Sequence, residues 1–196
     1  MQHAFVANGL PEPAANAVRE VIGLSLSRAV SGLMNEELQI DAPLYQHITQ
    51  AYRDYYHLAE KDIELFPDVK ETLEVLCSRG YWLGVVTGKS RAGLLRVLES
   101  FELGDLFYVW RTADCTHSKP HPAMVLECML ELGVPADRTW VVGDACFDMQ
   151  MAVAAEVEAL GVSFGVASSD ELLQARARRV VNDFAELLAY FPRLPD

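Results

Sequence analysis

Positive charge is scarce in this sequence: 16 Lys and Arg stand against 28 Asp and Glu in 196 residues, a formal net charge of −12. A field of that sign repels the phosphates of nucleic acids and the surfaces of anionic lipids, which removes both as partners. It repels small anions too, so a phosphate site here must be locally basic or hold a metal ion. No apolar run approaches the roughly 18 residues of a membrane span, and "MQHAFVANGL" opens without the basic stretch and apolar run of a leader. There is no C-x-x-C, and Cys77, Cys115, Cys128 and Cys146 match neither zinc-cluster nor disulfide-framework spacing. Small thiols in a reducing compartment follow, and the expected location is cytoplasmic. Cys146 lies between two acids and is the one candidate reactive thiol, beside its ordinary reading as a loop-packing residue. Repeats and low-complexity segments are absent.

What is present is material for a core. Hydrophobic residues make up 51% of the chain, enough for one ordinary domain or a core with a small satellite. Residues 1–60 read as helix throughout. "NAVREVIGL", "LSRAVSGLM" and "PLYQHITQAYRDYYHLAE" carry apolar residues at three- and four-residue spacing, with turns expected at "NGLPEP" and "NEELQIDAP". Tyr45, Tyr52, Tyr55 and Tyr56 read as a packing stripe on the last of these, with binding as the lesser alternative.

Residues 61–196 follow another pattern. "PDVKETLEVLCSRG" is an amphipathic helix with Gly80 as its stop. "YWLGVVTG" and "TWVVGD" are short continuous apolar runs, the mark of strands covered on both faces. "RAGLLRVLESF" and "PAMVLECMLELG" are helices, "YVWRTAD" and "LGVSFGV" further strands. "SSDELLQARA" opens with a capping box from Ser168 to Glu171. A weak strand "RRVVND" and a helix "FAELLAYF" close the chain. Strands and helices alternating this regularly predict an α/β fold, a Rossmann-like parallel sheet with helices on both faces.

In such sheets ligands bind beyond the carboxyl ends of the strands. Three stretches carry polar groups there. "VVTGKS" ends a strand with Thr87 and Gly88, a hydroxyl and unhindered backbone N–H groups suited to a phosphate oxygen. Taken alone it reads more simply as a β-branched strand residue followed by a turn. "SKPHP" fixes the backbone of Lys119 between turn formers, though a solvated surface lysine is the plain alternative. "VVGDACFD" supplies Asp144 and Asp148, of which Asp144 also suits a helix N-cap. Together the three predict a site: paired acids for Mg²⁺, a hard cation that takes oxygen ligands, and a lysine and threonine for a phosphoryl group.

The order strand–T-G, then K-P, then strand–G-D-x-x-x-D resembles the haloacid dehalogenase superfamily of phosphatases. The likeness is to its phosphoglycolate phosphatase-like branch, which carries a helical cap. "FPDVKETLEVLCSRGYWLGVVTGKS" and "KPHPAMVLECMLELGVPADRTWVVGDACFDMQMA" carry it, and it spans nearly the whole chain. The resemblance implies that Thr87, with Gly88, binds the phosphoryl group and that Lys119 positions it and balances its charge. Asp144 would ligate Mg²⁺ and Asp148 support the metal site. Residues 1–60 would be the cap that selects a small phosphorylated metabolite, and 61–196 the core.

Two departures stand out. Glu156 follows Ala155 where the family has glycine, which disturbs a turn. More seriously, the family's first motif, a strand ending in D-x-D-G-T, is absent, and no D-x-D occurs anywhere in the chain. That motif supplies the nucleophile and the general acid/base. The resemblance puts its strand at the centre of the sheet, between "WLGVVT" and "TWVVGD". Those two are therefore expected to close on each other or to borrow a strand, through a homo-oligomer at an unpaired edge for instance, unless the working protein begins upstream of Met1. Without the motif, weak Mg²⁺ binding and negligible phosphatase activity are expected. The readings that compete are a crippled phosphatase and a non-catalytic phosphometabolite-binding remnant, with a phosphosugar mutase or dehalogenase of the same superfamily below them. A dehalogenase needs no metal, which the paired acids argue against. A phospho-acceptor signalling domain would lack the cap.

Overall fold

A computed structural model describes residues 1–34 and 42–195 of the chain, which divides into two compact units, Met1–Glu64 and Leu65–Asp196. In the first, α1 (Gln2–Val6), α2 (Ala15–Glu20), α3 (Leu26–Leu33) and α4 (Ala42–Ala59) enclose Ala4, Phe5, Val30 and Ile48, none more than 1% exposed. Ser25 caps α3 by accepting the Arg28 N–H. Within the tyrosine stripe, Tyr45 and Tyr52 pack on this core and Tyr56 stacks on Tyr52 at 5.9 Å between centroids. Tyr55 is exposed and stacks on His3 instead. Most of the turn expected in "NEELQIDAP", residues 35–41, lies outside the described residues. No described helix is long and apolar enough to cross a membrane.

The second unit runs α5 (Val69–Ser78), β1 (Leu83–Thr87), α6 (Arg91–Ser100), β2 (Phe107–Thr112), α7 (Ala123–Leu132), β3 (Trp140–Gly143), α8 (Cys146–Ala154), β4 (Glu158–Val162), α9 (Ser169–Gln174) and β5 (Arg179–Val181). Gly133, at φ 66°, ends α7 in the left-handed conformation that a side chain would resist. The capping box is formed: Ser168 Oγ accepts the Glu171 N–H and Glu171 Oε2 accepts the Ser168 N–H. The helix expected in "FAELLAYF" is instead a single 3₁₀ stretch, Ala185–Ala189. Pro192, which has no N–H to donate, ends any helix here. The Arg79 guanidinium donates from Nη1 to the carbonyls of Leu188 and Phe191, each at 2.6 Å, and the Tyr81 hydroxyl donates to Pro192 O, which ties the segment to the end of α5.

All strand pairings are parallel. Side chains alternate between two covered faces, as period two requires. Val141 and Ala159 join Met124, Met149 and Met151 on one face. Trp140, Leu160, Val162 and Val181 join Leu76, Leu187 and Phe191 on the other. The single sheet expected from the sequence is divided, however, into β1-β2 and β3-β4-β5. β1 packs against both clusters that β3 helps to build, through Leu83 and Val86, yet the two strands do not pair. Closure of one on the other, an expectation above, is not what the described chain does. Alternation in the sequence marks strands without revealing which edges meet.

Glu156 occupies a left-handed turn after α8, at φ 58°. A Cβ there costs about 1–2 kcal/mol, and glycine avoids it at some expense in unfolded-state entropy. Glu156→Gly should therefore raise stability by about 1 kcal/mol and Tm by roughly 2–4 °C, read by calorimetry. A Tm unchanged or lowered would show the strain to be relieved by contacts of the glutamate side chain.

Candidate phosphoryl site at the strand ends

β3 stops at Gly143 because the next residues must turn into α8. The Asp148 side chain lies flat against Gly143, where a Cβ would sit 2.4 Å from its own. Asp148 falls in the first turn of α8, where the helix dipole favours a carboxylate. Its Oδ2 accepts the Ala145 N–H at 3.1 Å and its Oδ1 accepts from Lys119 Nζ at 2.7 Å. Both partners are buried, their side chains only 9% and 6% exposed.

Lys119 reaches this point from the turn between β2 and α7, and its bond to Pro120 is cis. An ion pair so little exposed is costly to break, since either charge alone would be left in a poor solvent.

Asp144 is not the N-cap of α8, a place taken by Ala145. Its carboxylate crosses to the loop after β4, where Oδ2 accepts the Val166 N–H at 3.0 Å, and its carbonyl accepts the Ala167 N–H. Gly165 permits the approach: a Cβ there would lie 2.2 Å from Oδ2 of Asp144. Asp144 Oδ1 takes no hydrogen bond among the described residues.

Thr87 ends β1, half-buried, with Oγ1 accepting the Lys89 N–H at 3.2 Å. That contact occupies a lone pair and leaves the hydroxyl proton to be donated. Gly88 follows it in the turn toward α6. That turn is fastened to the next by Ala113 N–H donating to Lys89 O and by Asp114, which accepts the Arg91 N–H through both oxygens. The Thr112 hydroxyl, and after it the Arg91 N–H, holds the Asp114 carboxyl below the usual carboxylate range.

Lys119, Asp148 and the Asp144–Ala145 turn thus meet directly. Thr87 stands at the end of the neighbouring strand, its hydroxyl bonded to its own turn. Asp148, expected to support the metal site, accepts from Lys119 through one oxygen and from Ala145 N–H through the other. Sequence reasoning missed Gly165, Val166 and Asp114, which fix the site without bearing its chemistry. The one signal for them was glycine in "SFGVAS", just past a strand. Cys146 donates toward Glu171 O, and burial, with the Glu171 charge behind it, pushes its thiol up, against the reactive reading.

Among the described residues no group of three His, Cys, Asp or Glu gathers as a ready metal cage. Mg²⁺ does not need one, since it is held by one or two carboxylates, several waters and substrate phosphate. Asp144, with one oxygen anchored and the other without a described donor, fits that role.

Comparison with known proteins gives a consistent result. The family model for haloacid dehalogenase-like hydrolases matches residues 1–162. The probable phosphatase IndB of Dickeya dadantii is 32% identical over 186 residues, covering 91% of this chain and 79% of that protein. A phosphoglycolate phosphatase of Nitrosococcus oceani is 26% identical over 183 residues, covering 91% and 81%. Among solved structures, a hydrolase from Pseudomonas syringae superposes with a TM-score of 0.86 at 25% identity, over 96% of this chain and 86% of the other.

Proposed function

Since the chain belongs to the haloacid dehalogenase-like hydrolases, we propose that its strand ends bind the phosphoryl group of a small phosphomonoester together with Mg²⁺, as in a phosphoglycolate phosphatase-like enzyme, and that this sequence as it stands does not hydrolyse the ester. The observation that carries this reading is the buried Lys119–Asp148 pair beside Asp144. In a chain with a formal charge of −12, a buried lysine at the strand ends supports the reading of an anion site there.

Each residue has a share of the work. The Thr87 hydroxyl donates its free proton to one phosphoryl oxygen, and the Gly88 backbone leaves room for a second. Lys119, oriented by Asp148, offsets the charge of the ester. Asp144 would be the carboxylate that holds Mg²⁺, which when bound supplies neutralising charge to the phosphate oxygens. The helical unit Met1–Glu64 is the part proposed to select the substrate.

Inorganic phosphate with Mg²⁺ is the probe. It should raise the Tm of the chain, since binding to the folded state alone stabilises by mass action. Thr87→Val should cut that increment, and Asp144→Asn should remove its Mg²⁺-dependent part. An increment of equal size in both variants, or none in the parent chain, would overturn the site assignment.

A further inference from the structure

From the bonds around the turn that carries Lys119 we infer that Glu127, held by Arg111 and holding Thr116, is a positioning residue for that lysine. On the phosphoryl reading proposed above, which this role deepens, the seat of the turn decides where the ammonium meets an anion. The turn leaves β2 at Thr112 and enters α7 at Ala123. Two of its ties are already described: Asp114 accepts the Arg91 N–H, and Lys119 reaches Asp148 on α8. Between them Cys115 folds back on Thr112, while Thr116 reaches outward and donates its hydroxyl to Glu127 Oε1.

Glu127 suits the task because its own place is fixed. Its Oε2 accepts from Arg111 Nε at 2.8 Å. The same guanidinium donates from Nη2 to Glu131 Oε2 at 2.7 Å and from Nη1 to Trp110 O at 2.9 Å. A planar fork bonded on three sides keeps one orientation, so it sets the carboxylate in register with β2. Each Glu127 oxygen then has a donor, Thr116 on one side and Arg111 on the other. The Thr116 hydroxyl, and after it Arg111, holds the Glu127 carboxyl below the usual carboxylate range, so it stays a charged acceptor at neutral pH.

Packing gives this part of the turn little support. A cavity of about 290 Å³ opens beside Arg111, Cys115, Glu127 and Glu131, and Thr116 itself is only half-buried. With few neighbours to wedge it, the turn takes its seat from bonds, and a shift at Thr116 is passed along the short stretch to Lys119. A misplacement of about 1 Å at a charged group costs a site much of its effect. The competing account is a surface ion pair of no consequence beyond itself, since Arg111 and Glu127 are 20% and 40% exposed. The two accounts differ in what becomes of Lys119.

The test replaces Thr116 by Val, which keeps the shape and removes the donor, and by Ser, which keeps the donor. The full chain is acylated briefly with acetic anhydride and each lysine is followed by mass spectrometry, with the half-exposed Lys70 as reference. Lys119, buried against Asp148, should react slowly in the parent chain. Thr116→Val should raise its rate by about threefold or more and weaken the binding of inorganic phosphate with Mg²⁺ by roughly three- to tenfold. Thr116→Ser should behave as the parent does. Tyr81→Phe, which removes the hydroxyl bonded to Pro192 O, controls for a general loss of stability and should leave Lys119 as it was. The proposal is overturned by an unchanged Lys119 rate in Thr116→Val, by an equal rise in Tyr81→Phe, or by failure of serine to restore the parent's rate. Phosphate binding that is present in the parent and intact in Thr116→Val overturns it too. If the lysine responds as stated while the parent binds no phosphate, the positioning role stands and the phosphoryl reading falls.

Discussion

Incubated with p-nitrophenyl phosphate and Mg²⁺, the 196-residue chain should release p-nitrophenol about 10⁶-fold more slowly than a phosphatase that retains its nucleophile. The expectation rests on what the available carboxylates are already doing. Asp144 is anchored by Val166 N–H across a glycine that a side chain could not replace. Asp148 is committed to Lys119 and to Ala145 N–H. Asp114 is tied by the Thr112 hydroxyl and twice by Arg91 N–H. None of the three can swing to a phosphorus atom without giving up the contacts that hold the turn it sits in, and no D-x-D exists to take their place. Steady-state turnover in the ordinary enzyme range, about 1–10³ s⁻¹, would show that some other group attacks. Phosphate binding, tested separately above, can succeed while turnover fails.

Replacing Lys119 by Met should cost about 3–5 kcal/mol of stability, because it strands the Asp148 carboxylate in a site from which water is largely excluded. Asp148→Asn should also destabilise the chain, leaving the ammonium without its counter-charge. The two losses are one loss seen from either end. Lys119→Met combined with Asp148→Leu should therefore be less harmful than the two single effects added together, since neither charge is then left alone. Urea unfolding of the four chains closes the cycle. Single substitutions costing under about 1 kcal/mol, the range of exposed pairs, would mean that the pair is hydrated and weak.

Much of this was legible beforehand, for reasons that differ by residue. Continuous apolar runs such as "TWVVGD" identify strands that send apolar side chains to both faces of a parallel sheet. The Ser168–Glu171 capping box is local chemistry and formed as read. Glu156 in a glycine's place shows as a positive φ, because the turn after α8 is dictated by the packing of α8 on β4 whichever residue occupies it. The motifs marked Lys119 and Asp148 as members of one site, but nothing in their spacing of 29 residues says that they bind each other. Long-range pairing depends on where turns aim side chains. The same limit covers the C-terminal segment, whose ties to Arg79, 109 residues earlier, no local pattern shows. It explains the divided sheet too, since edge partnership is a property of the whole arrangement.

The Lys119–Asp148 contact joins a loop that follows β2 to a helix that follows β3, so it spans the seam between the two sheets. It is a charged rivet across a joint that apolar side chains and the Arg79 and Tyr81 contacts also hold. An anion drawn to that ammonium would share the rivet's charge, so on the proposed reading ligand capture and the hold between the halves would meet at one proton-bearing nitrogen. Ionic strength, which weakens an anion's hold more than that of a dry internal pair, should then separate ligand capture from cohesion of the core.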